Sequence, residues 1–297
     1  MSGITDEVCA NCGKESSDAV KLKNCTCFLV KYCGVDCQKA HRKQHKKACK
    51  QRAAELKDEQ LYSQGHARPE GDFCPICALP IPLPTDIHSI FGFCCFKRIC
   101  RGCDMAAKKR GMNDCAFCRT RLPSNEADAL ALMQARVEKK DPDAINLLGE
   151  KTRAGKLGLQ SDLRKAVELW TEAAELGSIK ALYNLGVMHC SGPGGQMFKA
   201  KAIELWTKAA MQGHAESRSN LGGYERWKGN YDRAVKHYLI SAKMGFKMSI
   251  DAMKNMLDMG LATKEQYAVA LKGYQDAVEE MKSHERDEAK RIGYFTN

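Results

Sequence analysis

The residues best suited to chemistry in this sequence are its cysteines, and they are unevenly distributed. Sixteen cysteines occur in 297 residues, and fifteen of them lie between Cys9 and Cys118, which leaves only Cys190 beyond. Most of them stand in pairs separated by one to three residues. Thiolates at such spacings are typical ligands of tetrahedral Zn²⁺, and where thiols stay reduced they favour metal over disulfides. The sequence therefore predicts structural zinc within the first 118 residues.

The first cysteine cluster contains eight candidate ligands between residues 9 and 49. They form C-x2-C, C-x-C and C-x3-C pairs, followed by H-x3-C. With the stretch YCGVDCQKAHRKQHKKAC, this order resembles the MYND zinc finger. The resemblance implies two interleaved zinc sites. The first would consist of Cys9, Cys12, Cys33 and Cys37, and the second of Cys25, Cys27, His45 and Cys49.

Two positions depart from the MYND pattern. Thr26 alone separates the third and fourth ligands, where two residues are usual, and His41 stands where a tryptophan is common. Residues 38–56 contain no glycine or proline and are predicted to be helical, which places His41, His45 and Cys49 at successive turns of one face. His41 is therefore a reserve ligand if the short spacing distorts the second site, and otherwise an ordinary packed or solvated side chain.

The second cysteine cluster contains eight further cysteines, between residues 74 and 118. It begins and ends with C-x2-C and resembles a RING finger. Lys97 stands where a common RING finger has a histidine, whereas the spacing from Cys95 to Cys100 matches the all-cysteine variety. RING fingers also interleave two zinc sites. The resemblance implies that one of them consists of Cys74, Cys77, Cys100 and Cys103.

The remaining site must account for the adjacent pair Cys94 and Cys95. Adjacent side chains on an extended chain point to opposite faces, so they rarely share one ion. The fifteen clustered cysteines and His45 nevertheless make sixteen ligands, which is the number that four zinc ions need. On this count the fourth site consists of Cys94, Cys95, Cys115 and Cys118. The alternative is that His88 joins one cysteine of the pair, and the other remains a buried thiol.

The RING resemblance implies the activity of a ubiquitin ligase, which holds a ubiquitin-conjugating enzyme in an apolar groove. Ile76 and Arg119 stand at positions that would contact the conjugating enzyme and its ubiquitin. Two features differ, since Ala116 replaces a usual proline and the aromatic residue often found after the sixth ligand is absent after Cys103. The apolar loop 78–93 either lines such a groove or covers the small zinc core. The sequence leaves open a RING-type ligase and a protein without enzymatic activity.

The second half of the sequence is a repeat. Cysteine nearly vanishes after residue 143, and similar segments recur with a step of 36 or 37 residues, which shortens to 32 in the third copy. Each copy predicts two amphipathic helices, with a glycine ending the second. The pattern resembles Sel-one-like repeats, relatives of the tetratricopeptide repeat, from residue 143 to about residue 259. The matching landmarks are Gly149, Gly186 and Gly222; Trp170, Trp206 and Tyr238; Ala174, Ala210 and Ala242; and Gly177, Gly213 and Gly245.

The predicted fold class is small zinc-bound modules followed by an all-α helical-repeat solenoid. The aromatic landmarks are predicted to be core, because they recur with the repeat. Six parts follow from the motifs: a MYND-type finger (1–50), a helical and polar linker (51–72), a RING-like finger (73–122), a connecting helix (123–142), the repeats (143–260), and a capping helix with tail (261–297).

Charge and hydropathy restrict the kinds of partner. The net charge of +11 is concentrated in residues 39–52 and 97–121, where we expect a solvated basic face rather than a nucleic-acid site. No stretch approaches about 18 consecutive apolar residues, and residues 1–12 lack the apolar core of a secretion signal. We therefore expect no membrane span, and an intracellular location in the cytosol or nucleus, where thiols stay reduced.

A helical solenoid offers a long surface for protein partners and no reaction centre. The sequence therefore predicts a zinc-binding adaptor, in which the repeats and the MYND-type finger bind proteins and about four zinc ions are structural. The alternative is a RING-type ubiquitin ligase whose repeats recruit the substrate. Cys190 has no partners at ligand spacing and lies outside the predicted zinc sites.

Overall fold

The chain folds into two compact units, which comprise residues 1–63 and 64–297. The computed structural model describes residues 8–191 and 199–294. The first seven residues, which carry part of the prediction about a secretion signal, and the last three residues of the predicted tail lie outside the described ranges. Within those ranges, no helix is long and apolar enough to cross a lipid bilayer.

The first unit is built from loops, two very short strands and one long helix. Strands β1 (Lys23–Asn24) and β2 (Lys31–Tyr32) pair antiparallel, and α1 follows (Val35–Ser63). The helix extends beyond the predicted segment 38–56 at both ends, because no glycine or proline interrupts it. Only two of its 29 residues are buried. The core of the unit consists mainly of cysteines, so little apolar surface holds it together without a metal.

The second unit begins with the other cysteine-rich module. Its elements are a 3-10 turn (Glu70–Asp72), α2 (Thr85–His88), β3 (Ser89–Phe91), β4 (Arg98–Cys100) and α3 (Arg101–Lys109). The two strands pair antiparallel, with Ile90 opposite Ile99. Ile81 and Ile99 are buried among the cysteines, and they form the small apolar core of this module.

The rest of the second unit is all-α in its described part. Its helices are α4 (Glu126–Val137), α5 (Pro142–Ala154), α6 (Leu163–Glu175), α7 (Ile179–Ser191), α8 (Lys199–Met211), α9 (Ala215–Trp227), α10 (Tyr231–Lys243), α11 (Lys247–Asp258), α12 (Lys264–Glu280) and α13 (His284–Arg291). Each helix from α5 to α11 packs against the next one along the chain. The chain thus has the predicted fold class, small cysteine-rich modules followed by an all-α helical-repeat solenoid.

The ends of the repeat helices follow the local sequence. The Asp141 side chain accepts backbone hydrogen bonds at the start of α5, and Pro142 occupies the first turn. Gly177, Gly213 and Gly245, predicted to end the second helix of each repeat, have φ values of 98°, 87° and 87°. Glycine adopts this left-handed conformation without the steric cost that other residues bear.

A glycine in the first helix of each repeat lies against an aromatic ring of the second helix. The pairs are Gly149 with Trp170, Gly186 with Trp206 and Gly222 with Tyr238. A Cβ at any of these glycines would lie 2.4–2.8 Å from the ring, which is closer than non-bonded atoms approach. All three rings are buried, as predicted for aromatic residues that recur with the repeat.

The second cysteine-rich module rests directly on the repeats. Lys180, near the start of α7, donates a hydrogen bond from Nζ to Oγ1 of Thr85 (3.2 Å). Arg218 in α9 donates from Nη2 to the carbonyl oxygen of Gln64 (2.7 Å), just before the module. At the other end of the unit, α13 packs against α3. The module and the repeats are therefore parts of one compact unit.

Candidate metal centres

Three of the four C-x2-C pairs share one tight turn of the backbone, whereas Cys100 and Cys103 stand at the start of α3. In this turn, the N–H of the first cysteine donates to the carbonyl oxygen five residues later, and the residue after the second cysteine has a positive φ. The turns that start at Cys9, Cys74 and Cys115 have N···O distances of 2.8–3.0 Å and φ values of 57–72°. The backbone therefore turns back on itself within each of these three pairs, so both cysteine side chains of a pair reach one centre.

The structure brings the sixteen predicted ligands together in four groups. In each group, the four ligand atoms all lie within 4.8 Å of one another. The groups are centre 1 (Cys9, Cys12, Cys33, Cys37), centre 2 (Cys25, Cys27, His45, Cys49), centre 3 (Cys74, Cys77, Cys100, Cys103) and centre 4 (Cys94, Cys95, Cys115, Cys118). All these cysteines are free thiols.

The distances within the centres fit tetrahedral zinc. The shortest sulfur–sulfur distances are 3.4–3.9 Å. A disulfide requires about 2.05 Å, whereas sulfurs placed tetrahedrally at about 2.3 Å from Zn²⁺ are about 3.8 Å apart. Thiolate and imidazole are also the donors that Zn²⁺ prefers, so both the chemistry and the spacing of the ligands fit this ion.

The pKa values of the thiols in centre 1 also favour the binding of a cation. Backbone N–H groups of Cys12 and Cys33 lower the pKa of Cys9 to about 5. Hydrogen bonds to the sulfurs of Cys12 and Cys37 raise the pKa of Cys33 to about 12. The crowded thiols therefore do not all ionise together at neutral pH, and a bound Zn²⁺ would replace the retained protons.

Centre 2 contains the short C-x-C pair and the histidine. The N–H of Cys25 donates to the carbonyl of Val30 (2.8 Å), and Phe28, with φ 58°, follows the second cysteine. The return bond, from the N–H of Phe28 to the carbonyl of Cys25 (2.9 Å), closes one residue earlier than in the other turns, so this turn accommodates the single intervening residue. Nε2 of His45 lies 3.1 Å from Sγ of Cys27. His41 lies outside the centre, and its Nδ1 is 3.0 Å from the hydroxyl of Tyr32.

Several N–H groups point at the sulfurs of centre 3. The backbone nitrogen of Cys100 lies 3.4 Å from Sγ of Cys74, and that of Cys103 lies 3.5 Å from Sγ of Cys100. Nη2 of Arg286, in α13, lies 3.4 Å from Sγ of Cys77. Hydrogen bonds of this kind stabilise thiolates. The sequence carries no local signal for Arg286, because it lies far from every cysteine along the chain.

Centre 4 shows how adjacent cysteines reach one point. Its turn starts at Gly92, whose N–H donates to the carbonyl five residues later (3.0 Å), and the residue after Cys95 has a φ of 54°. A Cβ on Gly92 would lie 3.4 Å from Sγ of Cys95, so this glycine takes the place of the first cysteine in the other turns. Cys94 brings the fourth sulfur, 3.4 Å from that of Cys118. In the sequence, the signal for this turn is the G-x2-C spacing of Gly92 and Cys95.

The other predicted site residues lie outside the four groups. His88, the alternative ligand for centre 4, is not among the grouped side chains, and burial lowers its pKa. Ile76 is 44% exposed between the first two cysteines of centre 3. Arg119 is exposed, and its Nη1 lies 2.9 Å from Sδ of Met112. Cys190 lies at the end of α7, also outside the grouped side chains.

A groove lies beside centre 2, within the first unit. Its volume is about 440 Å³, and Tyr32, Val35 and part of α1 line it. Val35 is 62% exposed, and Phe28, in the turn of centre 2, is 70% exposed. The basic side chains that line the groove are Lys39, Arg42, Lys46 and Lys50. The groove thus combines the exposed apolar side chain of Val35 with positive charge.

Comparison with known proteins identifies two of the modules. The MYND finger family model matches residues 9–49, and the Sel1 repeat model matches residues 142–178, 179–214 and 215–246. No RING family model matches the second cysteine cluster. No curated protein matches the chain.

Solved structures of repeat proteins are similar to part of the chain. A Sel1 repeat protein from Oxalobacter formigenes is 21% identical, with 60% of this chain and 71% of that chain covered and a TM-score of 0.47. The protective antigen c5321 of uropathogenic Escherichia coli, which displays an SLR fold, is 23% identical, with coverage of 60% and 37% and a TM-score of 0.45. The chain carries a MYND finger followed by three Sel1 repeats.

Proposed function

We propose that the protein is a zinc-binding adaptor, in which the MYND finger and the repeats bind partner proteins. Centres 1–4 would hold four structural zinc ions, and four protein ligands at each ion leave no position for water or substrate. The domain boundaries that we propose are those predicted, with zinc modules at 1–50 and 73–122 and repeats at 143–260. Reduced thiols require a reducing compartment, so we propose an intracellular location in the cytosol or nucleus.

The observation that best supports protein binding is the groove beside centre 2. Exposed Val35 lines the groove, and exposed Phe28 lies in the same turn as its lining residue Cys25, so both offer apolar contacts that a partner would cover. The basic side chains of α1 around them favour acidic residues in the partner. We propose that the occupant is an extended segment of a partner protein that carries apolar side chains next to Asp or Glu.

A display library of random peptides, selected on the full zinc-loaded chain, tests this proposal. We expect enriched peptides to combine apolar with acidic residues and to bind more weakly as salt is raised. The variant with Lys39→Glu, Arg42→Glu and Lys46→Glu should lose affinity on the order of tenfold or more, because it removes the charge complementarity.

The matched control reverses three exposed lysines on the repeats instead. Its substitutions are Lys165→Glu, Lys201→Glu and Lys208→Glu. This control should keep the affinity of the unmodified chain. Equal binding by both triple variants would refute the groove as the site, and so would a selection that enriches no acidic, apolar peptides.

A second candidate function, a RING-type ubiquitin ligase, is favoured by the exposure of Ile76 and Arg119. An autoubiquitination assay of the full chain with a panel of conjugating enzymes tests it. If the chain is a ligase, Ile76→Ala should abolish the products without changing the zinc content, whereas Leu163→Ala, at an exposed position on the repeats, should not. If the chain forms no ubiquitinated product with any enzyme of the panel, this function is excluded.

A further inference from the structure

The C-terminal helix α13 reaches centre 3 through one buried side chain. Arg286 is 7% exposed. Its Nη1 donates to the carbonyl oxygens of Pro80 and Met281 at 2.6 Å each, and its Nη2 donates to the carbonyl of Leu79 at 3.2 Å. The same Nη2 lies 3.4 Å from Sγ of Cys77, a ligand of centre 3. The guanidinium is therefore held in one orientation with an N–H directed at the sulfur.

The positive charge of Arg286 complements the negative charge that centre 3 would have with zinc bound. Four thiolates around one Zn²⁺ leave the centre with a net charge of −2, and a guanidinium in contact with one sulfur offsets part of it. Burying the Arg286 cation without an anionic partner would be strongly unfavourable, because the guanidinium loses its hydration. The side chain and the loaded centre thus stabilise each other.

The backbone also brings α13 close to this module. A Cβ on Gly102, in α3, would lie 2.7 Å from the backbone nitrogen of Arg286. Only glycine lets the two helices approach this closely. Further along α13, a carboxylate oxygen of Glu288 lies 2.6 Å from Nζ of Lys109 in α3. The helix is therefore fixed on α3, and the orientation of Arg286 does not depend on its own contacts alone.

We propose that Arg286 is a positioning residue of centre 3, which holds the Cys77 thiolate on its zinc ion and slows the loss of the metal. The inference rests on the proposed zinc at centre 3. It makes a residue of the C-terminal helix, more than 180 positions from the nearest ligand of that centre, part of the metal site. Groups that hydrogen-bond a metal ligand typically contribute about 10- to 100-fold to metal affinity.

Release of zinc from the full chain to a chromophoric chelator tests this role. We expect Arg286→Gln to accelerate the release of one zinc equivalent by about 10- to 100-fold. Loss of that equivalent in Cys74→Ser assigns it to centre 3. The matched control is Arg291→Gln, on the same helix, because the Arg291 side chain is 76% exposed and touches no cysteine. The control should release all its zinc at the original rate.

A spectroscopic readout separates positioning from a merely structural role. In the chain loaded with Co²⁺, Arg286→Gln should shift the sulfur-to-metal charge-transfer absorption, because the hydrogen bond to the thiolate changes its electron donation. Arg286→Lys retains the charge but not the planar fork, so we expect its release rate to lie between the original and that of Arg286→Gln. If Arg286→Gln does not fold, the release rate of Arg286→Lys tests the positioning role by itself.

The outcomes distinguish this inference from the proposed function. A full zinc complement with equal release rates in Arg286→Gln and Arg291→Gln overturns the role of Arg286 alone. Equal acceleration of every zinc equivalent also contradicts it, because that result indicates general unfolding. If Cys74→Ser removes no zinc from the chain, centre 3 holds none, and both the inference and the zinc count of the proposed function are wrong.

Discussion

At the scale of single residues, centre 4 shows that the turn of the C-x2-C pairs can also begin without a cysteine. Gly92 forms the backbone bonds that Cys74 and Cys115 form in the neighbouring turns. Its Cα lies at the edge of the centre, since an added Cβ would be 3.4 Å from one sulfur and 3.7 Å from another. Cys94 then supplies the ligand from a position two residues later.

This geometry predicts a rescue. Cys94→Ser should bind about three zinc ions instead of four, because one centre loses a ligand. Adding Gly92→Cys restores the C-x2-C turn with Cys95, so the double variant should regain the fourth ion. Elemental analysis of both purified variants measures the result. A double variant that stays at three ions contradicts the assigned role of Gly92. Gly223→Cys in the same background is the control, because an added Cβ there has room and the site is on the repeats.

The types and spacing of the cysteines predicted which side chains would meet, because zinc turns are local in sequence. The role of Gly92 was not predicted, since it follows from backbone hydrogen bonds and not from a ligand type. Arg286 escaped prediction for another reason. Its contact with Cys77 joins residues far apart in sequence, and no local pattern marks such a pair.

His214 is a buried titratable residue of the repeats. Burial lowers its pKa to about 4, and although Asp72 and Asp86 act in the opposite direction, Lys180 adds to the effect. The carboxylate of Glu216 lies 3.7 Å from Nδ1. The unfolded chain takes up a proton at this position below about pH 6.5, whereas the folded chain does so only near pH 4. The free energy of unfolding therefore falls as the pH drops through this window.

His214→Asn should remove part of this pH dependence. Asparagine caps a helix as histidine does here, where Nδ1 accepts from the N–H of Ser217, but it does not titrate. Between about pH 7 and pH 4, we expect the original chain to lose up to about 3 kcal/mol more stability than the variant. Urea unfolding followed by circular dichroism measures the difference. Parallel pH profiles for the two chains would contradict the burial argument.

At the scale of elements, the two helices of each repeat pack closely because a glycine in the first leaves room for an aromatic ring of the second. Trp170 belongs to a buried cluster that includes Leu182 and Leu185 of the next repeat, so each ring also joins neighbouring units. The sequence period predicted these helices and their glycine ends well, since one hydrophobic face and one cap recur in each copy. The strands of two or three residues were not predicted, because so short a segment has no periodicity.

Gly186→Ala tests the contact between glycine and ring. Its Cβ would lie 2.4 Å from Nε1 of Trp206, so the ring must move, at a cost of about 1–3 kcal/mol. Higher helix propensity offsets about 1 kcal/mol, and we expect a net loss of stability in urea unfolding. The control is Gly223→Ala, in α9, where the nearest atom is 3.6 Å away. This variant should be as stable as the original chain or more stable.

At the scale of the whole molecule, the two units differ in what holds them together. The first unit has a core of cysteines, whereas the repeats have apolar clusters of their own. The seating of the second cysteine-rich module on the repeats was not predicted, because it depends on contacts such as Arg218 with Gln64. Such side-chain bonds to distant carbonyls leave no trace in composition or period.

Removal of the metal should affect the parts of the chain unequally. A strong chelator removes the energy that folds the cysteine-rich modules, so α1 to α3 should melt. The helices of the repeats should persist at a lower unfolding temperature, because the contacts of Lys180 and Arg286 with the second module are lost. Circular dichroism with limited proteolysis follows both changes. Complete loss of helix on chelation would show that the repeats do not fold by themselves.

The central claim is that fifteen cysteines and His45 close four zinc centres. Elemental analysis of the purified, untagged chain, combined with a count of its free thiols, tests it most directly. We predict close to four zinc ions per chain, one for each group of ligands. A chain that contains no zinc, and whose clustered cysteines are paired in disulfides, would contradict the account.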